Sequence, residues 1–173
     1  MEVEVKAPCP DPDGFRRKVM EMEGVFQGRY HQDDVYYAHP SRDFALSDEA
    51  LRIRSQKGVV QMHYKGPKVD RITKTREELG LFIQDQEIMG RILDRLGFHP
   101  VMTVSKEREM YLLRGIEICI DKVDGLSTYV ELESNGDDVD EERRKILALM
   151  SELGLQGSER RSYLELLLEG RDV

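Results

Sequence analysis

The stretch Glu-Val-Glu-Val-Lys-Ala, residues 2–7, alternates charged and apolar side chains near the start of the chain. A period of two is typical of a β-strand, because successive side chains of a strand point to opposite faces of the sheet. One face of this strand therefore carries two carboxylates and an amine, and the other face is apolar. Three prolines between residues 8 and 12 end the strand. The charged face consists of Glu2, Glu4 and Lys6.

Similar patterns over the rest of the chain predict an α+β fold with about eight strands. A turn at residues 55–58 joins two strands as a hairpin. The last helix is expected to bury Tyr163, Leu164, Leu167 and Leu168. The further strands are predicted over residues 27–37, 51–55, 59–65, 73–78, 100–111, 115–123 and 128–134. The helices are predicted over residues 14–23, 85–97, 138–153 and 158–169.

Charges share one face on several of these strands, and two arrangements account for this. In an ordinary antiparallel sheet, one face packs on a core and the charged face is solvated. In a closed barrel, the charged faces point into one lumen and the apolar faces pack against helices outside. Buried charges are costly unless they pair or bind ligands, so a charged lumen predicts a site for phosphate oxygens and divalent metals. The pairs on a common face include Arg52 with Arg54, Lys106 with Arg108, and Glu131 with Glu133.

Length and composition favour one domain that spans residues 1–173, with 39% hydrophobic and 35% charged residues. A net charge of −8 argues against general nucleic-acid binding, which requires clustered basic residues. Cys9 and Cys119 form neither a zinc-binding pattern nor a disulfide framework, which favours a reducing compartment. The sequence contains no apolar run of about 18 residues and no secretory signal. We therefore expect a cytoplasmic protein without membrane or nucleic-acid partners.

The common sequence motifs of nucleotide-binding loops and hydrolases are missing from the chain. It contains no GxxxxGK[ST], GxGxxG, HExxH or GxSxG motif. A triphosphate would therefore have to be held by side chains on strands, and not by a glycine-rich loop at a helix N-terminus. No histidine is predicted to act as a base, although His63 shares a strand face with Lys65.

Seven short motifs, in order along nearly the whole chain, resemble those of the CYTH superfamily, the triphosphate tunnel metalloenzymes. Each motif alone is common by chance, but seven in the family's order are specific. The Tyr-Lys-Gly-Pro motif and residues 162–167 are most similar to the class IV adenylate cyclase branch, and Ser127 departs from the glycine that many relatives carry. The motifs lie at residues 2–6, 32–37, 50–54, 64–67, 75–78, 104–108 and 121–133.

The resemblance implies a closed eight-stranded antiparallel β-barrel, a tunnel, with helices packed on the outside. It also implies that Mg²⁺ or Mn²⁺ is the cofactor. The implied metal-binding residues are Glu2, Glu4, Glu131, Glu133, Asp121 and Glu78. The implied triphosphate-binding residues are Lys6, Arg52, Arg54, Lys65, Arg76, Lys106 and Arg108. The residues expected to act in catalysis are Glu4, Lys6, Lys65 and Arg76.

Three functions remain open at this point. The first is a class IV-like adenylate cyclase, a metal-dependent phosphorus–oxygen lyase that converts ATP to cyclic AMP and pyrophosphate. The second is a triphosphatase that hydrolyses tripolyphosphate, thiamine triphosphate or nucleoside triphosphates. The third is a non-catalytic protein that binds nucleotides or polyphosphate, although such a protein would not need two Glu-x-Glu pairs. In each case the partner is a small triphosphate, and the protein is a monomer or a homodimer.

Overall fold

Eight strands and five helices form the part of the chain that the structure, a computed structural model, describes: residues 2–68 and 76–170. The strands are β1 (Glu2–Pro8), β2 (Val25–Ala38), β3 (Ala50–Gln56), β4 (Val59–Lys65), β5 (Glu78–Ile83), β6 (His99–Leu113), β7 (Ile116–Val123) and β8 (Thr128–Asn135). The helices are α1 (Pro12–Glu21), α2 (Phe44–Ser47), α3 (Gln86–Arg95), α4 (Val139–Glu152) and α5 (Tyr163–Glu169). Among the described residues, no helix is both long enough and apolar enough to cross a membrane.

The predicted strand at 73–78 is the least accurate of the predicted elements. Residues 73–75 lie outside the described residues, Arg76 forms only an isolated bridge, and β5 runs onward from Glu78 to Ile83. The sequence of β5 does not alternate between apolar and polar residues, because exposed apolar residues lie on both of its faces. The exposed residues are Leu79, Leu81 and Phe82.

Two helices also differ from the prediction. The short helix α2 was not predicted, because four residues span about one helical turn and show no periodicity. Helix α5 begins at Tyr163 and not at residue 158. The cause is a capping box, in which the Ser162 side chain accepts from the Glu165 backbone and the Glu165 side chain accepts from the Ser162 backbone.

One antiparallel sheet contains all eight strands, in the order β1-β8-β7-β6-β2-β3-β4-β5. The sheet curls around its charged face but does not close, so the prediction of a closed barrel is wrong. Among the described residues, β1 meets the chain ahead of β5 at a single bridge between Glu2 and Arg76. Because Arg76 pairs with Glu2 in the antiparallel direction, the residues that follow Arg76 extend beyond the first residue of β1. β5 therefore lies past the end of β1, and the two edge strands do not pair. The result is a half-barrel with one open side.

The convex, apolar face of the sheet packs against α1 and α4. Val3 and Val5 of β1 lie in one buried cluster with Val19 of α1 and Ile146 of α4. This packing fixes β1 and β8, and with them the glutamates on their opposite faces.

Helix α5 packs on the concave, charged face, so the prediction that all helices lie outside is wrong. Tyr163 and Leu166 form a buried cluster with Tyr36, Val104 and Tyr129 of the sheet. These three residues lie on the same strand faces as the charged residues, because each is an even number of positions away from one of them.

The buried stripe of α5 also differs from the predicted one. Tyr163 is buried as expected, but the other buried residue is Leu166. Leu164 and Leu167 are half-buried against the same cluster, and Leu168 is exposed. The helix is turned in this way because the Tyr163 hydroxyl reaches into the sheet and donates to the buried Asp121.

Candidate active site

The concave face of the half-barrel holds a cavity of about 610 Å³. Strands, α2 and α5 all contribute to its wall, and most of the predicted site residues line it. The predicted residues that do not line it are Lys6 and Asp121. Those that line it are Glu2, Glu4, Arg52, Arg54, Lys65, Arg76, Glu78, Lys106, Arg108, Glu131 and Glu133.

Three glutamates from β1 and β8 form a compact carboxylate cluster. Glu4 lies directly opposite Glu133 in the β1–β8 register, and Glu131 is two residues along the same face. One carboxylate oxygen from each lies within 4.8 Å of the others. Burial, together with the neighbouring charges of Glu131 and Glu4, raises the pKa of Glu133 even though Arg108 opposes the shift. The cluster thus concentrates negative charge that a cation would relieve.

A second group of side chains surrounds Glu78, on the β4–β5 side of the cavity. Its carboxylate lies 2.7 Å from Lys65 Nζ and 2.7 Å from His63 Nδ1. Burial alone would raise the pKa of Glu78, but His63, Lys65 and Arg52 outweigh it and hold the pKa below its usual range. Glu2, whose carboxylate is 3.6 Å from Lys65, has its pKa raised to about 8, chiefly by burial. Neither Glu2 nor Glu78 belongs to the three-glutamate cluster, and their role as metal ligands stays a prediction.

Asp121 is completely buried behind the cavity wall, where its carboxylate pairs with two basic side chains. Its carboxylate accepts from Lys106 Nζ at 2.9 Å and from Arg108 Nε at 2.7 Å. The Tyr163 hydroxyl donates to the same carboxylate at 3.0 Å. Arg108 also reaches Glu131 and, at 3.3 Å, Glu133. Asp121 thus contacts Arg108, which in turn contacts the three-glutamate cluster, and its role as a metal ligand stays a prediction.

Asp34 pairs with the two arginines of β3 in the same way that Asp121 pairs with Lys106 and Arg108. Its carboxylate accepts from Arg54 Nε at 2.7 Å and from Arg52 at 3.2 Å, and it is almost fully buried. Burial would raise the pKa of Asp34, but Arg52 and Arg54 hold it well below its usual range. Arg52 is a residue of the cavity wall, and its Nε atom is buried without a hydrogen-bond partner.

A family model described as the CYTH domain matches residues 1–163. The chain belongs to the CYTH family. It is 40% identical over 172 residues to a protein of Methanocaldococcus jannaschii named as a candidate adenylate cyclase, covering 96% of this chain and 98% of that one. It is 28% identical over 171 residues to the adenylate cyclase CyaB of Aeromonas hydrophila, covering 94% and 86%. The solved PH1819 protein of Pyrococcus horikoshii has a TM-score of 0.89 and 43% identity, covering 99% and 100%.

In this CYTH protein, Lys6 does not reach the cavity, although the sequence motif predicts it as a phosphate ligand. Its side chain is fully buried and Nζ donates to the backbone carbonyl of Arg161. The same amine lies 4.2 Å from the ring centre of Tyr163. Helix α5 and the residues before it thus separate Lys6 from the cavity, and its role as a phosphate ligand stays a prediction.

Three residues of this CYTH site were not predicted as functional. Asp34 could have been found from sequence, because it alternates with Gln32 and Tyr36 and lies in a strand next to the paired arginines. His63 could have been predicted as a site residue, since it shares a strand face with Lys65, and it lines the cavity. The sequence predicts Tyr163 only as a buried residue of the last helix, because tertiary packing alone brings its hydroxyl to Asp121.

Replacing Asp34 with asparagine is expected to destabilise the fold at neutral pH by about 3 kcal/mol, because Arg52 and Arg54 lose a buried counter-charge. A carboxyl whose pKa is lowered by folding stabilises above its unfolded pKa of about 4, and this contribution is lost as the pH falls through the folded value. The difference between the wild type and Asp34→Asn should therefore shrink in acid. Urea unfolding at pH 7 and below pH 4 measures both values.

Asp33→Asn is the matched control, since the Asp33 side chain is 43% exposed. Its effect on stability at neutral pH should stay well below that of Asp34→Asn. Equal effects of the two substitutions would contradict the role assigned to Asp34.

Proposed function

We propose that this CYTH protein is a divalent-metal-dependent enzyme that acts on an organic triphosphate, with conversion of ATP to cyclic AMP and pyrophosphate as its leading activity. The observation that carries the proposal is a three-carboxylate cluster in the same cavity wall as seven lysine and arginine side chains. Carboxylates alone would suit many cations, and basic residues alone would suit many anions. Their combination in one cavity suits a metal–polyphosphate complex.

The carboxylate cluster fits Mg²⁺ or Mn²⁺ by the chemistry of its donors. Glu4, Glu131 and Glu133 offer only oxygen atoms, which are the ligands that hard divalent cations prefer. Burial raises the pKa of Glu133, and so does repulsion from Glu131 and Glu4, which a cation bound among these groups would remove. Such a cation, when bound, neutralises charge on the phosphate oxygens. Glu2, Glu78 and Asp121 then act mainly by orienting the neighbouring lysines and arginines.

The lysine and arginine side chains of the cavity wall would bind and align the phosphate chain. Arg52 and Arg54 are held by Asp34, and Lys106 and Arg108 by Asp121, so their positions are set before a ligand arrives. Fixed cations stabilise the negative charge that develops on phosphoryl oxygens during attack, without a cost for reorganisation. Lys65 and Arg76, which line the same cavity, and Lys6, which does not, are also proposed to act on the phosphates.

In the leading reaction, the 3′ oxygen of the ribose forms a bond to the α-phosphorus. The bond from that phosphorus to the oxygen bridging the α- and β-phosphates breaks, the hydroxyl proton is released, and pyrophosphate leaves. The residues of the chain hold the phosphates in line with the hydroxyl, and positioning of this kind supplies much of the acceleration in phosphoryl transfer. The names of two relatives as adenylate cyclases support this choice.

Hydrolysis of a triphosphate is the second candidate, because water has access to the carboxylate cluster. The half-barrel is open on one side, and the Glu133 side chain is 20% exposed. A water molecule that attacks the terminal phosphorus would use the same cations and carboxylates. The products would then be orthophosphate and a diphosphate, with no cyclic nucleotide.

Product analysis tests the proposal and separates the two reactions. The purified protein is incubated with ATP or tripolyphosphate, with Mg²⁺ or Mn²⁺, and in parallel with an excess of chelator. We expect cyclic AMP and pyrophosphate from ATP, and complete loss of turnover with the chelator. Orthophosphate without cyclic AMP would replace the cyclase by the triphosphatase. Absence of turnover under all conditions, or full turnover with chelator, would contradict a metal-dependent enzyme.

A further inference from the structure

The convex face of the sheet is covered by α3 at β3 but exposed at β5. Leu93 of α3 lies in a buried cluster with Ile53 of β3, and Met62 of β4 packs against the same cluster. Leu81 of β5 lies directly opposite Met62 in the β4–β5 register, so its side chain points to the same face. Leu79, two residues earlier in β5, points there as well. Both leucines are more than half exposed.

Helix α3 has a second apolar stripe beside its buried one. One side of the helix faces β2, because a Cβ atom at Gly90 would lie 3.4 Å from the Tyr37 hydroxyl oxygen. With 3.6 residues per turn, the second stripe lies on the other side of Leu93 from Gly90. That side faces β4 and β5, since the sheet continues from β2 in the order β3, β4, β5. The exposed residues of the second stripe are Ile88, Ile92 and Leu96.

The stripe and the two leucines form one exposed apolar surface, which we call the α3–β5 surface, defined as Leu79, Leu81, Ile88, Ile92 and Leu96. Large exposed apolar patches on soluble proteins commonly mark interaction sites. The outer edge of β5 adjoins this surface, and within the described residues β5 pairs only with β4. Edge strands are usually protected by charged residues or proline, but residues 79–83 contain neither.

The charges of α3 favour a second copy of the chain as the partner. Glu87 is exposed near the start of the helix, and Arg95 is exposed at its end. Antiparallel packing of two such helices about a two-fold axis at Ile92 places Ile88 opposite Leu96 of the partner subunit. The same packing places Glu87 opposite Arg95 of the partner subunit, and the helix dipoles are opposed as well.

We propose that the α3–β5 surface is the interface of a homodimer, in which α3 packs antiparallel to its own copy and the edge of β5 pairs with its own copy. Antiparallel pairing of a strand with its copy also has two-fold symmetry, so both contacts suit an isologous interface. Arg91 approaches its copy near the axis, and Glu87, four residues earlier in the same helix, offsets this charge. The interface lies on the face opposite the cavity, so the inference does not depend on the proposed function.

Sedimentation equilibrium of the full chain tests this inference. At tens of micromolar, the wild type should sediment with twice the chain mass of 20.1 kDa. Ile92→Glu introduces a charge at the axis and should sediment with the mass of one chain. Leu46→Glu is the matched control, because Leu46 is an exposed helical leucine outside the α3–β5 surface, and this variant should remain a dimer. Thermal unfolding should show that both variants are folded.

Charge exchange tests the antiparallel arrangement. Glu87→Arg and Arg95→Glu each bring like charges together, so each should weaken dimerisation about tenfold. The double variant restores opposite charges and should return to within about threefold of the wild-type affinity. A wild type with the mass of one chain, a dimeric Ile92→Glu, or a double variant weaker than both single variants would overturn the inference.

Discussion

Replacement of Glu4 by glutamine is expected to reduce turnover by about 10²–10³-fold, the cost typical of removing one group that stabilises charge in the transition state. Glutamine has nearly the same shape, so the fold should be kept, but its neutral amide binds a divalent cation far more weakly than a carboxylate does. Glu4 is buried and belongs to the three-glutamate cluster. Turnover is measured with the substrate and the metal that the product analysis identifies.

Binding distinguishes this effect from damage to the cavity. The affinity of Glu4→Gln for the free triphosphate, measured with chelator present, should stay within about threefold of the wild type, because the lysines and arginines are untouched. Glu107→Gln is the control, since Glu107 is an exposed glutamate on β6 and should leave turnover unchanged. If Glu4→Gln retains more than a third of wild-type turnover, the proposed role of the cluster is wrong.

Replacement of Asp121 by asparagine is expected to have the largest effect on stability, a loss of about 3–5 kcal/mol, which is the usual cost of leaving buried charges unpaired. Asp121 is completely buried, and its carboxylate is the shared partner of Lys106, Arg108 and Tyr163. For a chain of this size, such a loss corresponds to a decrease in the melting temperature of about 10 °C. Urea unfolding and calorimetry provide the two measurements.

This result would separate a structural aspartate from a metal ligand. Asp124→Asn is the matched control, because Asp124 follows β7 directly and is exposed, and it should change stability by less than about 0.5 kcal/mol. Should Asp121→Asn keep wild-type stability but lose affinity for Mn²⁺, Asp121 would belong to the metal site that the sequence motif implies. The contacts with Lys106 and Arg108 argue for the structural role.

Much of the charged face could be predicted because strand periodicity is a local property. Glu2, Glu4 and Lys6 lie on one face of β1 as their spacing predicts, and the paired arginines of β3 share a face in the same way. The open side of the sheet could not be predicted, since the register between β1 and the residues that precede β5 depends on the curvature of all eight strands together. The concave position of α5 was missed for a similar reason, because an apolar helix face does not reveal which side of a sheet it covers.

The sequence by itself determined which side chains share the charged face, because a strand alternates its side chains whatever it pairs with. It determined through the order of its motifs that the chain is a CYTH protein. Only the tertiary structure decided which charges meet. Cross-strand register brings Glu4 to Glu133, and burial of Asp34 and Asp121 among arginines and lysines turns these two carboxylates into supports for the cations. Contacts between residues far apart in the chain depend on register, curl and helix packing, and these follow from the burial of the whole apolar face and not from any local pattern.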